Sequence, residues 1–107
     1  METFGEYIKR LRNESSLTLT QLAAQLDLDS ANLSKIENGK REFDEKRLGQ
    51  LSNALKLDLE NLKTEFYSNL FAKKLYENKC SIDVLTVAEK KVEYLRSTKV
   101  TQTNLDL

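Results

Sequence analysis

An all-α fold is the first thing this sequence predicts, and three observations predict it. The chain contains no proline and only three glycines, Gly5, Gly39 and Gly49, so helix breakers are scarce. Apolar residues recur at three- and four-residue steps throughout, with no sustained alternation of the strand type. Cap-type residues stand where each periodic segment begins.

The first segment, 3–14, carries Phe4, Ile8 and Leu11 on one face and breaks at Ser15-Ser16. The second opens with Thr18-Leu19-Thr20-Gln21, a capping-box spacing in which Thr18 serves the N3 amide while Gln21 reaches back. Leu17 and Leu22 flank it as a hydrophobic staple, and Leu22, Ala23 and Leu26 face inward. The period breaks at Asp27-Leu28, and Asp29 offers a new N-cap. A third helix, 30–38, buries Leu33 and Ile36, turns Ala31, Ser34, Lys35 and Asn38 the other way, and stops at Gly39 in a left-handed C′ position. Two short helices joined by such a turn are a helix-turn-helix, here spanning 18–41 with its second helix at about 29–38. A fourth helix runs from the Asp44 cap through Leu48, Leu51, Ala54 and Leu55 to about Leu57. A longer one, 60–78, follows with Leu59, Leu62, Phe66, Leu70 and Leu75, and Cys80-Ser81 ends it. Ser81 caps a last helix with Leu85, Ala88, Val92 and Leu95 on one face. This divides the chain into a domain at 1–62, a helical hairpin at 63–98 and a flexible tail at 99–107.

Composition excludes most catalytic chemistry. With no histidine and a single thiol, Cys80, neither a zinc cage nor a Cys-His or Ser-His nucleophile can be assembled. No two glycines lie close enough to cradle a phosphate. A binding protein without metal or cofactor is expected, not an enzyme. One cysteine forms no intrachain disulfide, no run reaches the roughly 18 apolar residues of a membrane span, and the opening Met1-Glu2-Thr3-Phe4 lacks a signal-peptide core. A cytoplasmic setting is therefore expected. The net charge is zero, with 9 Lys/Arg against 11 Asp/Glu in residues 1–62 and 8 against 6 in residues 63–107. DNA affinity depends on where positive charge sits more than on its total, so this balance argues against tight non-specific binding without excluding a specific reader.

Seen together, Phe4-Gly5-Glu6, Ile8, Leu11-Arg12, Thr18, Leu22-Ala23 and Leu33-Ser34-Lys35-Ile36-Glu37-Asn38-Gly39-Lys40-Arg41 resemble the lambda-repressor-like, or XRE-type, DNA-binding domain. Leu51, Ala54-Leu55, Leu57 and Leu62 are similar to its fourth and fifth helices, so the likeness covers about 3–62. The resemblance implies a five-helix domain whose third helix enters the major groove. Ser30, Ala31 and Lys35 then take base-facing positions, where a lysine donates to guanine and an alanine methyl packs on thymine. Asn32 and Ser34 flank the groove, Thr18 and Thr20 meet a phosphate at the start of the second helix, and Asn38, Lys40 and Arg41 clamp the backbone beyond. Arg12 and Glu37 match an ion pair that joins the first helix to the third and sets its angle. Three positions depart from the family pattern: Leu19 replaces a frequent glutamine, Asp27 a turn glycine, and acidic Asp29 stands near the groove with its charge committed to the helix N-terminus.

A plainer reading leaves Ser30, Asn32, Lys35, Lys40 and Arg41 as a solvated face. The C-terminal hairpin carries Phe66, Leu70, Phe71, Leu85, Val92 and Leu95, more apolar surface than a five-helix domain needs, which points to a homodimer on a double-stranded operator or to an antagonist protein on these helices. The alternative for the hairpin is folding back on its own domain. The function expected is a sequence-specific transcription regulator, a dimeric repressor or operon controller such as that of a restriction-modification operon. The alternative is a protein-interaction module that keeps the fold without binding DNA.

Overall fold

The structure is a computed structural model that describes residues 1–98; the expected tail at 99–107 lies outside the described residues. Six α-helices follow one another: α1 (Phe4–Glu14), α2 (Leu19–Gln25), α3 (Ser30–Glu37), α4 (Leu48–Leu55), α5 (Leu59–Glu77) and α6 (Asp83–Ser97), with a 3-10 turn at Glu45–Arg47 before α4. There is no strand among the described residues. One compact unit comprises Met1–Phe71 and a second begins at Ala72. The first unit thus runs past the expected boundary at residue 62.

Side-chain caps decide where the helices start. Thr3 and Glu6 form a reciprocal capping box at α1, the Thr3 amide donating to Glu6 Oε1 at 2.8 Å and the Glu6 amide to Thr3 Oγ1 at 3.1 Å. Thr18 and Gln21 repeat it at α2, at 2.9 and 3.1 Å. Asp29 caps α3 by accepting the Asn32 amide at 2.7 Å. At the far end of α3, Gly39 takes φ 75°, and the Gly39 and Lys40 amides return to the carbonyls of Ile36 and Lys35 at 3.1 and 2.8 Å. Asp27 holds the α2–α3 turn at φ 56°, a left-handed conformation costing a non-glycine residue about 1 kcal/mol.

The start of the fourth helix differs from the sequence reading, and that of the last agrees with it. The Asp44 cap begins the 3-10 turn, accepting the Lys46 amide at 3.0 Å, and α4 proper starts only at Leu48 and closes on Lys56 at φ 56°. Helix α6 begins at Asp83, where Ser81 Oγ accepts the Asp83 amide at 3.1 Å.

The core of the first unit gathers Ile8, Leu22, Ala23, Leu26, Leu33, Ile36, Phe43, Leu48, Leu51, Leu55, Leu62 and Phe66, with Leu19 packed half-buried at its edge. Each fully buried leucine contributes about 1.5–3 kcal/mol. Phe66 corrects the reading that placed it on a dimer surface: it is buried, its ring 5.1 Å from Phe4 and 6.4 Å from Phe43 in edge-to-face geometry. It lies one turn beyond the buried Leu62 on α5, and Phe43, from the irregular segment after α3, completes its pocket.

Gly5 sits where α1 crosses the end of α3. A Cβ there would stand 2.3 Å from the Ile36 carbonyl oxygen and 2.9 Å from that of Glu37, both backbone atoms that cannot step aside. A Cβ at Gly49 in α4 would stand in open space. Gly5→Ala should therefore cost about 1–3 kcal/mol, and Gly49→Ala should be neutral or stabilise by up to about 1 kcal/mol. Denaturant midpoints check the pair; equal effects would refute the close crossing.

Candidate nucleic-acid interface

The helix-turn-helix begins with the position of α3, and that position is held by charge. Glu37, at the last turn of α3, is buried, and its side chain is only 3% exposed. Arg12 of α1 meets it with two bonds, Nε to Oε2 at 2.7 Å and Nη2 to Oε1 at 3.1 Å. The third edge of the guanidinium donates through Nη1 to the Leu17 carbonyl at 3.0 Å, just before the α2 cap. One side chain so ties α1, the entry to α2 and the end of α3. The hydrogen bond to Glu37 raises the Arg12 pKa above its ordinary value, against the opposing effect of desolvation. The expected pairing of Arg12 with Glu37 is present.

Two further bonds steady the turn itself, and sequence reasoning missed both. Arg47 donates through Nη1 to the Leu26 carbonyl, and Gln50 Nε2 donates to Asp27 Oδ2 at 3.0 Å. Both reach across more than twenty residues, and no local pattern announces them.

On this frame α3 presents a short polar face. Ala31 and Lys35 are exposed, and Ser30, Asn32 and Ser34 are half-buried. Asn38, exposed at the C-cap, turns its Nδ2 back to the Ser34 carbonyl at 2.9 Å, where it closes the helix end. Lys40 is exposed, and Arg41 donates through Nη1 to Asn32 Oδ1 at 2.9 Å. Thr18 and Thr20 are exposed at the start of α2, Thr18 with its hydroxyl committed to the cap. The residues expected to meet DNA thus all lie on α3, on the loop just after it or at the start of α2, and none belongs to the core. Asp29 spends both carboxylate oxygens on Asn32, Oδ1 on the backbone amide and Oδ2 on the side-chain amide at 3.3 Å.

Among the described residues no three His, Cys, Asp or Glu side chains are grouped to hold a metal ion, and no helix is long and apolar enough to cross a membrane. Cys80 is exposed.

A short α2, a tight turn and a capped, outward-facing α3 define the helix-turn-helix class. The helix-turn-helix family profile matches residues 8–62. The chain belongs to this helix-turn-helix family. Among curated proteins it is similar to the HTH-type transcriptional repressor RghR of Bacillus subtilis, 38% identical over 86 residues, covering 77% of this chain and 64% of that one. It is also similar to the control protein C.MunI of a Mycoplasma species, 42% identical over 60 residues, which cover 55% of this chain and 81% of that one. The chain spans less than two thirds of RghR, and 45% of the related B. subtilis regulator RghRB. Among solved structures, the biofilm master regulator SinR in complex with DNA aligns with a TM-score of 0.50 and 26% identity, over 56% of this chain and 97% of that one. A SinR/SinI complex chain aligns over 94% of this chain at a TM-score of 0.51 and 23% identity, a likeness of fold.

The buried pair yields a clear expectation. Arg12→Ala strands the Glu37 carboxylate in the core and should cost about 3–5 kcal/mol, whereas the double change Arg12→Met with Glu37→Leu should cost much less. Urea unfolding of the three proteins measures this; a double variant as weak as the single one would mean that the pair carries net stability.

Proposed function

We propose that this chain is a sequence-specific reader of double-stranded DNA that occupies an operator as a homodimer and acts there as a repressor or operon controller. The observation that carries the reading is the outward face of α3. Ala31, Lys35 and the neighbouring Lys40 are exposed and take no part in the core, on a helix whose angle is fixed by a buried ion pair. Lys35 supplies a donor for a guanine edge, Ala31 a methyl for thymine, and Lys40 a phosphate contact. Thr20 and the amides at the start of α2 suit a second phosphate.

The acidic balance of residues 1–62 limits what charge alone can do, so affinity rests on two readers bound together. Helix α6 supports this, since none of its residues is buried and Leu85, Val92 and Leu95 are 44–49% exposed along one face. Leu70 and Phe71 of α5 are exposed as well. Leu85, Val92 and Leu95 form the proposed dimer surface of α6, and Leu70 and Phe71 are proposed separately as dimer contacts of α5. The same acidic balance is what favours the second reading, an interaction module that no longer binds DNA.

Duplex binding separates the two readings. With three to five phosphates neutralised per protomer, log K should fall against log salt with a slope of about −5 to −9 for a dimer. Lys35→Ala should relax preference at one base position by about 1–3 kcal/mol, while Lys40→Ala should weaken all sequences alike. Absence of duplex binding at low salt would leave the interaction module standing. For the dimer, Leu85→Glu with Val92→Glu should give a monomer in sedimentation equilibrium and at least tenfold weaker operator binding, with the melting of Met1–Phe71 unchanged; a wild-type monomer at high concentration would refute it.

A further inference from the structure

Arg41 follows α3 as an exposed cation beside the proposed groove, and by position alone it reads as a phosphate clamp. Its guanidinium is engaged elsewhere. Nη1 donates to Asn32 Oδ1 at 2.9 Å, Asn32 Nδ2 donates to Asp29 Oδ2 at 3.3 Å, and Asp29 Oδ1 accepts the Asn32 backbone amide at 2.7 Å. The three residues form one relay from the loop after α3 to the N-cap of α3.

The relay fixes which way the Asn32 amide points. A guanidinium only donates and a carboxylate only accepts, so the amide oxygen must face Arg41 and the amide nitrogen must face Asp29. The opposite rotamer would set oxygen against carboxylate and nitrogen against guanidinium, losing both bonds. Asn32 is half-buried on the first turn of α3, between the exposed Ala31 and the core residue Leu33. Its oxygen retains one lone pair and its nitrogen one hydrogen, so it offers a base edge one acceptor and one donor in a fixed order. An asparagine of fixed polarity distinguishes bases in a way that a freely rotating amide does not.

Resting on the proposed DNA-reading function, we infer that Arg41 is a positioning residue for base recognition: together with Asp29 it sets the polarity of the Asn32 amide, and it does not serve as a phosphate clamp. The two roles have opposite signatures. Loss of a clamp lowers affinity for every sequence and flattens the salt dependence by nearly one per protomer, about two for a dimer. Loss of a positioning residue leaves the slope in place and blunts discrimination at the base pair that Asn32 faces.

The test is a cycle of wild type, Arg41→Ala, Asn32→Ala and the double variant, in the full chain. Each is measured for preference against a random duplex pool and for the salt slope on the selected duplex; wild type and Arg41→Ala are also measured, in the free protein, for the side-chain amide resonances of Asn32. Arg41→Ala should shift the Asn32 Nδ2 proton resonances in the absence of DNA and reduce discrimination at one base pair per half-site by about tenfold, leaving the salt slope unchanged. In the Asn32→Ala background the same change should have no further effect on discrimination. A slope reduced by about two, with equal loss on all sequences in both backgrounds, would overturn the inference in favour of a clamp. Unshifted Asn32 resonances would overturn it at the level of the relay. Failure of wild type to retain any duplex while those resonances do shift would overturn the DNA-reading function and leave the relay intact.

Discussion

The bond between Arg12 and Glu37 is the constraint on which the recognition unit depends. A carboxylate buried at the end of α3 is tolerable only because a guanidinium meets it with two short bonds. The same guanidinium reaches the Leu17 carbonyl, so the residue that neutralises α3 also anchors the chain as it enters α2. Gly5 makes this possible from the other side, since any side chain there would push α1 away from the Ile36 and Glu37 carbonyls. A shape and a charge on one helix therefore set the angle of another.

Much of this was legible in the sequence because its causes are local. The Thr18 and Gln21 capping box, the Asp29 cap and the Gly39 exit are interactions over three or four residues, and each lies where its residue types predict. The inward positions of α1, α2 and α3 follow from helical spacing in the same way. Phe66 was misread because its partners are not local. Phe4 comes from the start of the chain and Phe43 from a stretch without periodicity, so nothing near Phe66 in sequence reveals the cluster that buries it. Arg47 and Gln50, which steady the turn at Leu26 and Asp27, escaped notice for the same reason. At the candidate interface, helical spacing turns Ala31, Lys35 and Asn38 outward, where they are exposed, but Ser34 is half-buried, and the engagement of Arg41 with Asn32 follows from no local pattern.

The aromatic cluster also alters where the recognition unit stops. Phe66 stacks edge-on against Tyr67, whose hydroxyl donates to Glu45 Oε2 at 2.7 Å, and the pull of that carboxylate raises the tyrosine pKa. Tyr67 and Phe71 follow at 6.1 Å between ring centres. The first half of α5 is thereby part of the folded unit that holds the helix-turn-helix, and Glu45 joins it to the 3-10 turn ahead of α4.

The separation between the face of α3 and its core has a consequence for how such a protein can change. Leu33, Ile36 and Glu37 are the buried residues of that helix, Glu37 making its ion pair, while Ser30, Ala31 and Lys35 are not buried and take no part in that pair. Drift at these three positions is nearly free of a stability cost, so a duplicated copy could acquire a new target without passing through an unfolded ancestor. Asn32 is the exception, because its relay must change as a unit. Divergence among copies should run quickly through the outer positions and halt where the relay begins.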